Sequence, residues 1–532
     1  MLARLLSQLF RDRSKSRDPA GLTGHGETDA CSPATPREWL QRGEALERAG
    51  ELSAALECYV TCARAHPSDL DAQLALANAL AEAWRIEESI PAFAQARAAA
   101  PRNTEVFSGL LLYSHYAARP DPRALFDLHR EYGRMVSELV PSSGGRHDNI
   151  PDAERVLRIG YVSRNFSQHS VGYFIEPVLA GHDRGRYSIY CYYTHPHGDE
   201  TTERIARLAD VWRHAPAEDA AALAARIRED RIDILVDLAG HTKLNHLLTF
   251  AHRPAPVQVT WLGYPDTTGL AAIDYRITDV IADPAPLADS RCTERLLRLE
   301  PPFLCYRPPE DSPPVAPRQA GGPVVFGCCN ALHKVNAPSI ALWAQILEAV
   351  PGSRLLLKSR LLQNGEVVDR LLKAFGAVDI GPERLDLRGW APRQADHLSA
   401  YHDIDIALDT GPYNGTTTTC EALWMGVPVV TLAGELHMSR VGACLMTAAG
   451  LHDLVATSAQ GYVQTAIALA RDPAWRGTLR RTMRARLRAS ALLDHGKFVA
   501  ALEAGFRRVW GTWCEAQGEA SNQFFQRNPR CR

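Results

Sequence analysis

The 532-residue sequence predicts two doubly wound α/β domains in tandem, preceded by an α-helical repeat region. Three observations carry that expectation. Helical patterns over residues 36–120 recur every 34 positions. From residue 156 onward, short β-rich runs alternate with helical stretches, as in a parallel sheet covered on both faces. A proline-rich segment, PPEDSPPVAPRQAGGP at 308–323, divides that alternation into two halves.

Residues 1–35 are expected to form a disordered tail and linker. MLARLLSQLFRDRSKSRD places Leu2, Leu5, Leu6 and Leu9 on one apolar face ahead of basic residues, too short and interrupted for a signal peptide. Polar, Gly- and Pro-containing sequence follows. In the repeat region, Pro67 and Pro101 are 34 apart, as are Leu40 and Leu74, Ala45 and Ala79, Leu46 and Leu80, Leu56 and Ile90, and Tyr59 and Phe93. A small residue in mid-helix, an aromatic in the second helix and a closing proline at this period resemble the tetratricopeptide repeat. Two copies are complete and a third, NTEVFSGLLLYSHY, is partial. Such arrays present a concave surface suited to polypeptides. Residues 121–155 read as a long helix, ALFDLHREYGRMVSEL, and the polar break PSSGGRHDNIPDAE.

In the first lobe (156–307), LRIGYVS, YSIYCYYT, IDILVDL, VQVTWLG and YRITD read as strands. In the second (324–490), VVFGCC, SRLLLKS, DIALDT and PVVTL do so, and residues 491–532 read as closing helices and a tail. Ligands of such sheets bind beyond the strand carboxyl ends and in the cleft between lobes. The composition constrains the partners. A net charge of −2 with 23% charged residues gives no reason for nucleic acid or an anionic membrane as a partner. No run approaches the ~20 apolar residues of a membrane span. Twelve cysteines form no framework, and Cys328-Cys329 is the only close pair, so cysteine is expected to pack as a small hydrophobe in a reducing compartment. A cytoplasmic location follows as the expectation.

The chemistry concentrates in three stretches. In DTGPYNGTTTTCEALWMGVPVVTL (409–432), a strand ending at Asp409 leads through a glycine turn to Thr416, Thr417, Thr418 and Thr419 at a helix start. Free N–H groups, the helix dipole and several hydroxyls suit a phosphate. Plain capping accounts for one threonine but not four. Glu421, one turn in, is placed to accept from a ribose hydroxyl. Lys334 lies in the loop after VVFGCC, where an ammonium group can neutralise a diphosphate. His169, in YVSRNFSQHSVGYFIEPVL, lies between the first strand of its lobe and a helix, facing the expected cleft.

Together with HRPAPVQVTWLGYPDTTGLAAIDYRITD, these tracts make the chain, from about Pro36 to Trp510, resemble the O-linked N-acetylglucosamine transferase and SPINDLY family of protein glycosyltransferases. The resemblance implies a GT-B fold behind tetratricopeptide repeats, with no cofactor and no metal. It implies inverting transfer from a nucleotide-sugar to serine and threonine hydroxyls of intracellular proteins. Under it, Lys334 holds the diphosphate, and Thr417 and Thr418 are the phosphate-binding threonines at the helix start, with Thr416 counted beside them from the residues alone. Glu421 holds the ribose, and His397, in APRQADHLSAYHDIDIALDT, packs on the nucleobase. His169 positions substrate or acts as base. The chain departs from the animal members in having Thr416 where they have a histidine, and Ala400 where they have an arginine. Ala331 stands where the family usually has an amide side chain. HSVGYFIE and TTTTCEALWMGVP are closer to the SPINDLY branch, some of which uses GDP-fucose, so that donor stands as the alternative to UDP-GlcNAc. Two further readings stay open: a transferase for small acceptors, which would not need the repeats, and a repeat-based scaffold with inactive lobes. Retention of Lys334, Thr417, Thr418 and Glu421 argues against the scaffold.

Overall fold

A computed structural model describes residues 35–140, 147–300, 302–318 and 321–527, with side chains to residue 518. The apolar face at Leu2, Leu5, Leu6 and Leu9 and nearly all of the predicted 1–35 tail lie outside the described residues. The chain divides into two compact units, one ending at Pro101 and one beginning at Arg102.

The first unit is two helical hairpins: Pro36–Arg48 with Leu52–Ala65, and Leu70–Glu82 with Ile86–Ala99. The 34-residue period has a local cause at each start. Thr35 caps the first helix in a capping box with Glu38, and Asp69, 34 positions on, caps the third helix. The small-residue position works through packing. A Cβ on Gly43 would lie 2.3 Å from the Tyr59 ring, so the helix pair closes only because that position is bare. Ala77, its equivalent one period later, is fully buried.

Asn103 caps helix Thr104–Ser114 at the same spacing, which is why the sequence places this segment with the repeats. Its packing assigns it to the second unit instead. Ser108 and His115 bond residues of the following lobe, the former to His241 Nδ1 at 3.0 Å and the latter to Asp266 at 3.0 Å. Helix Pro122–Leu139 adds Phe107–Tyr132 edge contact and Tyr132 to a buried core shared with the first sheet. The repeat region predicted to end at residue 120 therefore ends, as a compact body, at Pro101.

The rest of the second unit contains two parallel sheets. The first has the order β3-β2-β1-β4-β5-β6-β7, with β1 Leu157–Ser163, β2 Tyr187–Tyr193, β3 Val211–His214, β4 Ile234–Asp237, β5 Val257–Thr260, β6 Tyr275–Asp279 and β7 Arg295–Leu299. The second has the order β10-β9-β8-β11-β12-β13, with β8 Val325–Cys328, β9 Arg354–Lys358, β10 Leu385–Arg388, β11 Ile406–Leu408, β12 Val429–Leu432 and β13 Val455–Ala456. Each is doubly wound: β1 pairs with β2 and β4, and β8 with β9 and β11. The central strands are apolar on both faces because helices cover both. The final helix, His495–Arg527, returns to the first lobe. There Glu503 bonds His182, and Phe498 stacks on Trp261 with ring centroids 5.9 Å apart. No helix among the described residues is long and apolar enough to cross a membrane.

Candidate active site

The site begins where the second sheet reverses direction. β8 and β11 are neighbours whose connections run to opposite sides, so a crevice opens beyond their carboxyl ends. The loop after β8 carries Asn330, Ala331 and Lys334. The loop after β11 runs to helix Thr417–Trp424.

Asp409 ties these loops together. Its buried carboxylate accepts from the N–H groups of Gly415 at 2.7 Å and Thr410 at 2.9 Å, from Thr431 Oγ1 at 2.8 Å and from Asn330 Nδ2 at 3.2 Å. Burial pushes its pKa up against these hydrogen bonds. Asn330 also donates to Thr410 Oγ1 at 2.8 Å and accepts from Thr418 Oγ1. The four threonines therefore divide. Thr418 is spent on Asn330, and Thr419 donates to the Gly415 carbonyl at 3.1 Å. Thr416 stands at the cap position, yet its side chain does not cap the helix. The hydroxyls of Thr416 and Thr417 have no protein partner among the described residues. Gly426, at φ +80°, ends the helix.

Lys334 lies opposite. Its Nζ donates to the Asn414 carbonyl at 2.8 Å and lies 3.9 Å from the centroid of the Tyr413 ring. Tyr413 is in turn stacked on Tyr116, with centroids 5.3 Å apart and an interplanar angle of 13°. An ammonium has three N–H donors. One is taken by a carbonyl and one faces a ring, and among the described residues Lys334 has no ion-pair partner. Burial lowers its pKa to about 8, opposed by the charge of Asp409.

Lys334, Thr416, Thr417 and Thr418 line a cavity of about 270 Å³ whose far wall belongs to the first lobe: His169, Val171, Phe174, Trp261, Tyr264 and Arg276 among others. His169 is the N-cap of helix Ser170–Gly181, and its Nδ1 accepts from the Val171 N–H at 3.1 Å. That nitrogen therefore carries no proton, and the neutral ring presents Nε2–H as a donor. Desolvation, then the nearby Arg164, lower its pKa. Behind this wall a buried polar cluster fixes the loop at 261–270. Tyr264 Oη lies 2.9 Å from His129 Nε2 and 3.2 Å from His115 Nδ1. Burial pushes the pKa of His129 down to about 4, so its ring is neutral.

The structure brings five of the sequence-predicted residues to this cavity, His169, Lys334, Thr416, Thr417 and Thr418, but not His397 and Glu421. Those two bond each other, His397 Nε2 to Glu421 Oε2 at 2.9 Å. Lys358 Nζ donates to His397 Nδ1 at 2.8 Å, which leaves the imidazole proton on Nε2. Glu421 also accepts from Gln394 at 3.1 Å and Tyr401 at 3.3 Å and is 3% exposed. Its carboxylate is thus enclosed by side chains, where the sequence expects it open to a ribose hydroxyl. Sequence reasoning missed Asn330, Tyr413, Tyr116 and Lys358. Asn330 was legible as an amide at a strand end, one position before Ala331. Tyr116, by contrast, reaches the site from 218 positions before Lys334, with nothing local to signal it.

Comparison with known proteins places most of the chain in a family. The profile described as "Glycosyl transferase family 41" matches residues 145–305 and 316–502, and one described as "Tetratricopeptide repeat" matches residues 36–79. A tomato (Solanum lycopersicum) protein named "Probable UDP-N-acetylglucosamine--peptide N-acetylglucosaminyltransferase SPINDLY" is 42% identical over 411 residues, covering 76% of this chain and 44% of its own length. An Arabidopsis thaliana protein of the same description, named SEC, is 31% identical, covering 76% of this chain and 43% of its own. The chain thus spans under half the length of these curated relatives. Among solved structures, a lysine-to-methionine mutant described as the Thermobaculum terrenum O-GlcNAc transferase is 38% identical with a TM-score of 0.85, covering 91% of this chain and 92% of that one.

Proposed function

The chain belongs to glycosyl transferase family 41, and from that premise we propose that it transfers a sugar from a nucleotide-sugar to hydroxyl groups of polypeptides. One observation carries the reading. The half-buried Lys334 ammonium has no ion-pair partner among the described residues, and it shares a cavity between two lobes with a helix start bearing two unpartnered threonine hydroxyls. A diphosphate supplies the charge and acceptors that this arrangement lacks.

In the reaction the acceptor oxygen bonds to the anomeric carbon from the face opposite the diphosphate, the bond from that carbon to the phosphate oxygen breaks, a diphosphate oxygen takes up the acceptor's proton, and the configuration inverts. Charge develops on the departing diphosphate. Lys334 and the N–H groups at the start of helix Thr417–Trp424 stabilise it more than they do the ground state. His169 presents a donor, so its part is to orient a substrate oxygen rather than to take the acceptor's proton. We assign the nucleobase contact to His397, whose tautomer Lys358 sets, although it lies outside the lining of the cavity, and Glu421, bonded to His397, orients that ring. The repeats offer a surface for acceptor polypeptide. UDP-GlcNAc is the first-named donor, in keeping with the printed names of the relatives. GDP-fucose is the alternative, because the tracts around His169 and Thr416–Thr419 resemble the SPINDLY branch.

A thermal-shift panel of UDP, GDP, UDP-GlcNAc and GDP-fucose separates these donors. A ligand at 100 times its dissociation constant stabilises the folded chain by about 2.7 kcal/mol. The expected result is stabilisation by one nucleotide and its sugar conjugate and not by the other pair. No shift with any of the four would favour an inactive scaffold.

A further inference from the structure

Two polar side chains that line the cavity are left unused by phosphate binding. His437, from the turn after β12, and Arg276, from β6, both line it, and they are only 9% and 5% exposed. A single carboxylate holds both: Asp283 Oδ2 lies 2.7 Å from His437 Nδ1 and 3.2 Å from Arg276 Nη1, and it also accepts from Thr278 Oγ1. Burial pushes the Asp283 carboxyl up, but Arg276 and His437 outweigh it and hold the group well below the usual carboxylate range. An ionised carboxylate can only accept, so His437 donates from Nδ1, and its Nε2 has no protein partner among the described residues. Arg276 offers guanidinium N–H groups beside it. Phe303 also lines the cavity, its ring edge-on to His437 with centroids 4.9 Å apart, and its carbonyl is held by Trp261 Nε1 at 3.0 Å.

A ring nitrogen without a protein partner, next to a guanidinium and aromatic rings, matches a sugar hydroxyl, which both donates and accepts. We propose that His437 and Arg276, positioned by Asp283, bind a hydroxyl of the donor sugar and so set which sugar the cavity takes. This rests on the transferase reading and deepens it. The pair also spans both lobes, with Asp283 and Arg276 on one and His437 on the other, so the subsite is complete only when the lobes are apposed.

Calorimetric titration of the full chain, wild type, His437→Leu and His437→Gln, with UDP, GDP, UDP-GlcNAc and GDP-fucose tests this. Nucleoside diphosphate affinity should change by no more than about twofold in both variants. Affinity for the matching nucleotide-sugar should fall about tenfold or more in His437→Leu, the loss expected when a buried hydrogen bond to substrate is removed, and less in His437→Gln, which keeps a hydrogen-bonding side chain. Unchanged nucleotide-sugar binding would overturn the assignment. Equal weakening of nucleotide and nucleotide-sugar would also overturn it, marking the dyad as an interlobe clasp. A wild-type chain that binds no nucleotide would overturn the transferase reading itself.

Discussion

Lys334→Ala is expected to lower sugar transfer by about a hundredfold or more, through loss of the charge that meets the departing diphosphate. The size follows from position. The Asn414 carbonyl and the Tyr413 ring hold this ammonium in one place, so it needs little reorganisation when charge develops. Its pKa of about 8 adds a signature. The ammonium is present below that pH, so wild-type kcat/KM for the donor should decline as pH rises through about 8, and Lys334→Ala should lack this limb. Linkage gives an internal control. A lysine depressed from ~10.4 in the unfolded chain binds fewer protons when folded, so its contribution to stability is unfavourable at neutral pH and improves as pH rises between the two values. Removing the charge relieves that penalty and offsets the lost Asn414 hydrogen bond and Tyr413 contact, so the melting temperature should change little. Near-wild-type turnover in a folded Lys334→Ala protein would reject the assignment.

Asp409→Ala should be the more destructive change to the protein itself. It strips the acceptor from the Gly415 N–H and the Thr431 hydroxyl, both buried, and frees Asn330, which positions Thr418. Each buried donor left without a partner costs about 1–3 kcal/mol, so a loss of about 3 kcal/mol or more in stability is expected, with nucleotide binding lost as the 409–416 loop unseats. Asp409→Asn keeps one carbonyl oxygen and should lose less. Thermal denaturation with and without nucleotide measures both effects. An Asp409→Ala protein that melts and binds like wild type would show that the loop is held by something else.

The strand record shows what local sequence could carry. Every strand the sequence identified is interior to a sheet, where both faces are covered and the run is apolar or β-branched, as in IDILVDL and VVFGCC. The four it missed, β3, β7, β10 and β13, are the four sheet edges. VWRH, RLLRL and LDLR carry arginines because one side of an edge strand meets solvent, and β13 is only two residues long. The site divides similarly. Lys334 and the threonines follow strand ends, and strand–loop–helix order alone marks them. The partners that decide their state are remote: Tyr116 stacks behind Tyr413, Lys358 fixes the His397 tautomer, and Asp283 reaches His437 from the other lobe. The segment at 104–116 failed in the opposite sense. Its 34-residue phase is right, but its apolar face is used by the lobes.

On this mechanism a pyrophosphate is gripped between one ammonium and one helix start before it leaves the sugar. A crystal structure of the chain with its nucleoside diphosphate tests this most directly. Phosphate oxygens are expected within hydrogen-bonding distance of Lys334 Nζ and of the hydroxyls or N–H groups at Thr416 and Thr417. A nucleotide bound with its phosphates away from both would contradict it.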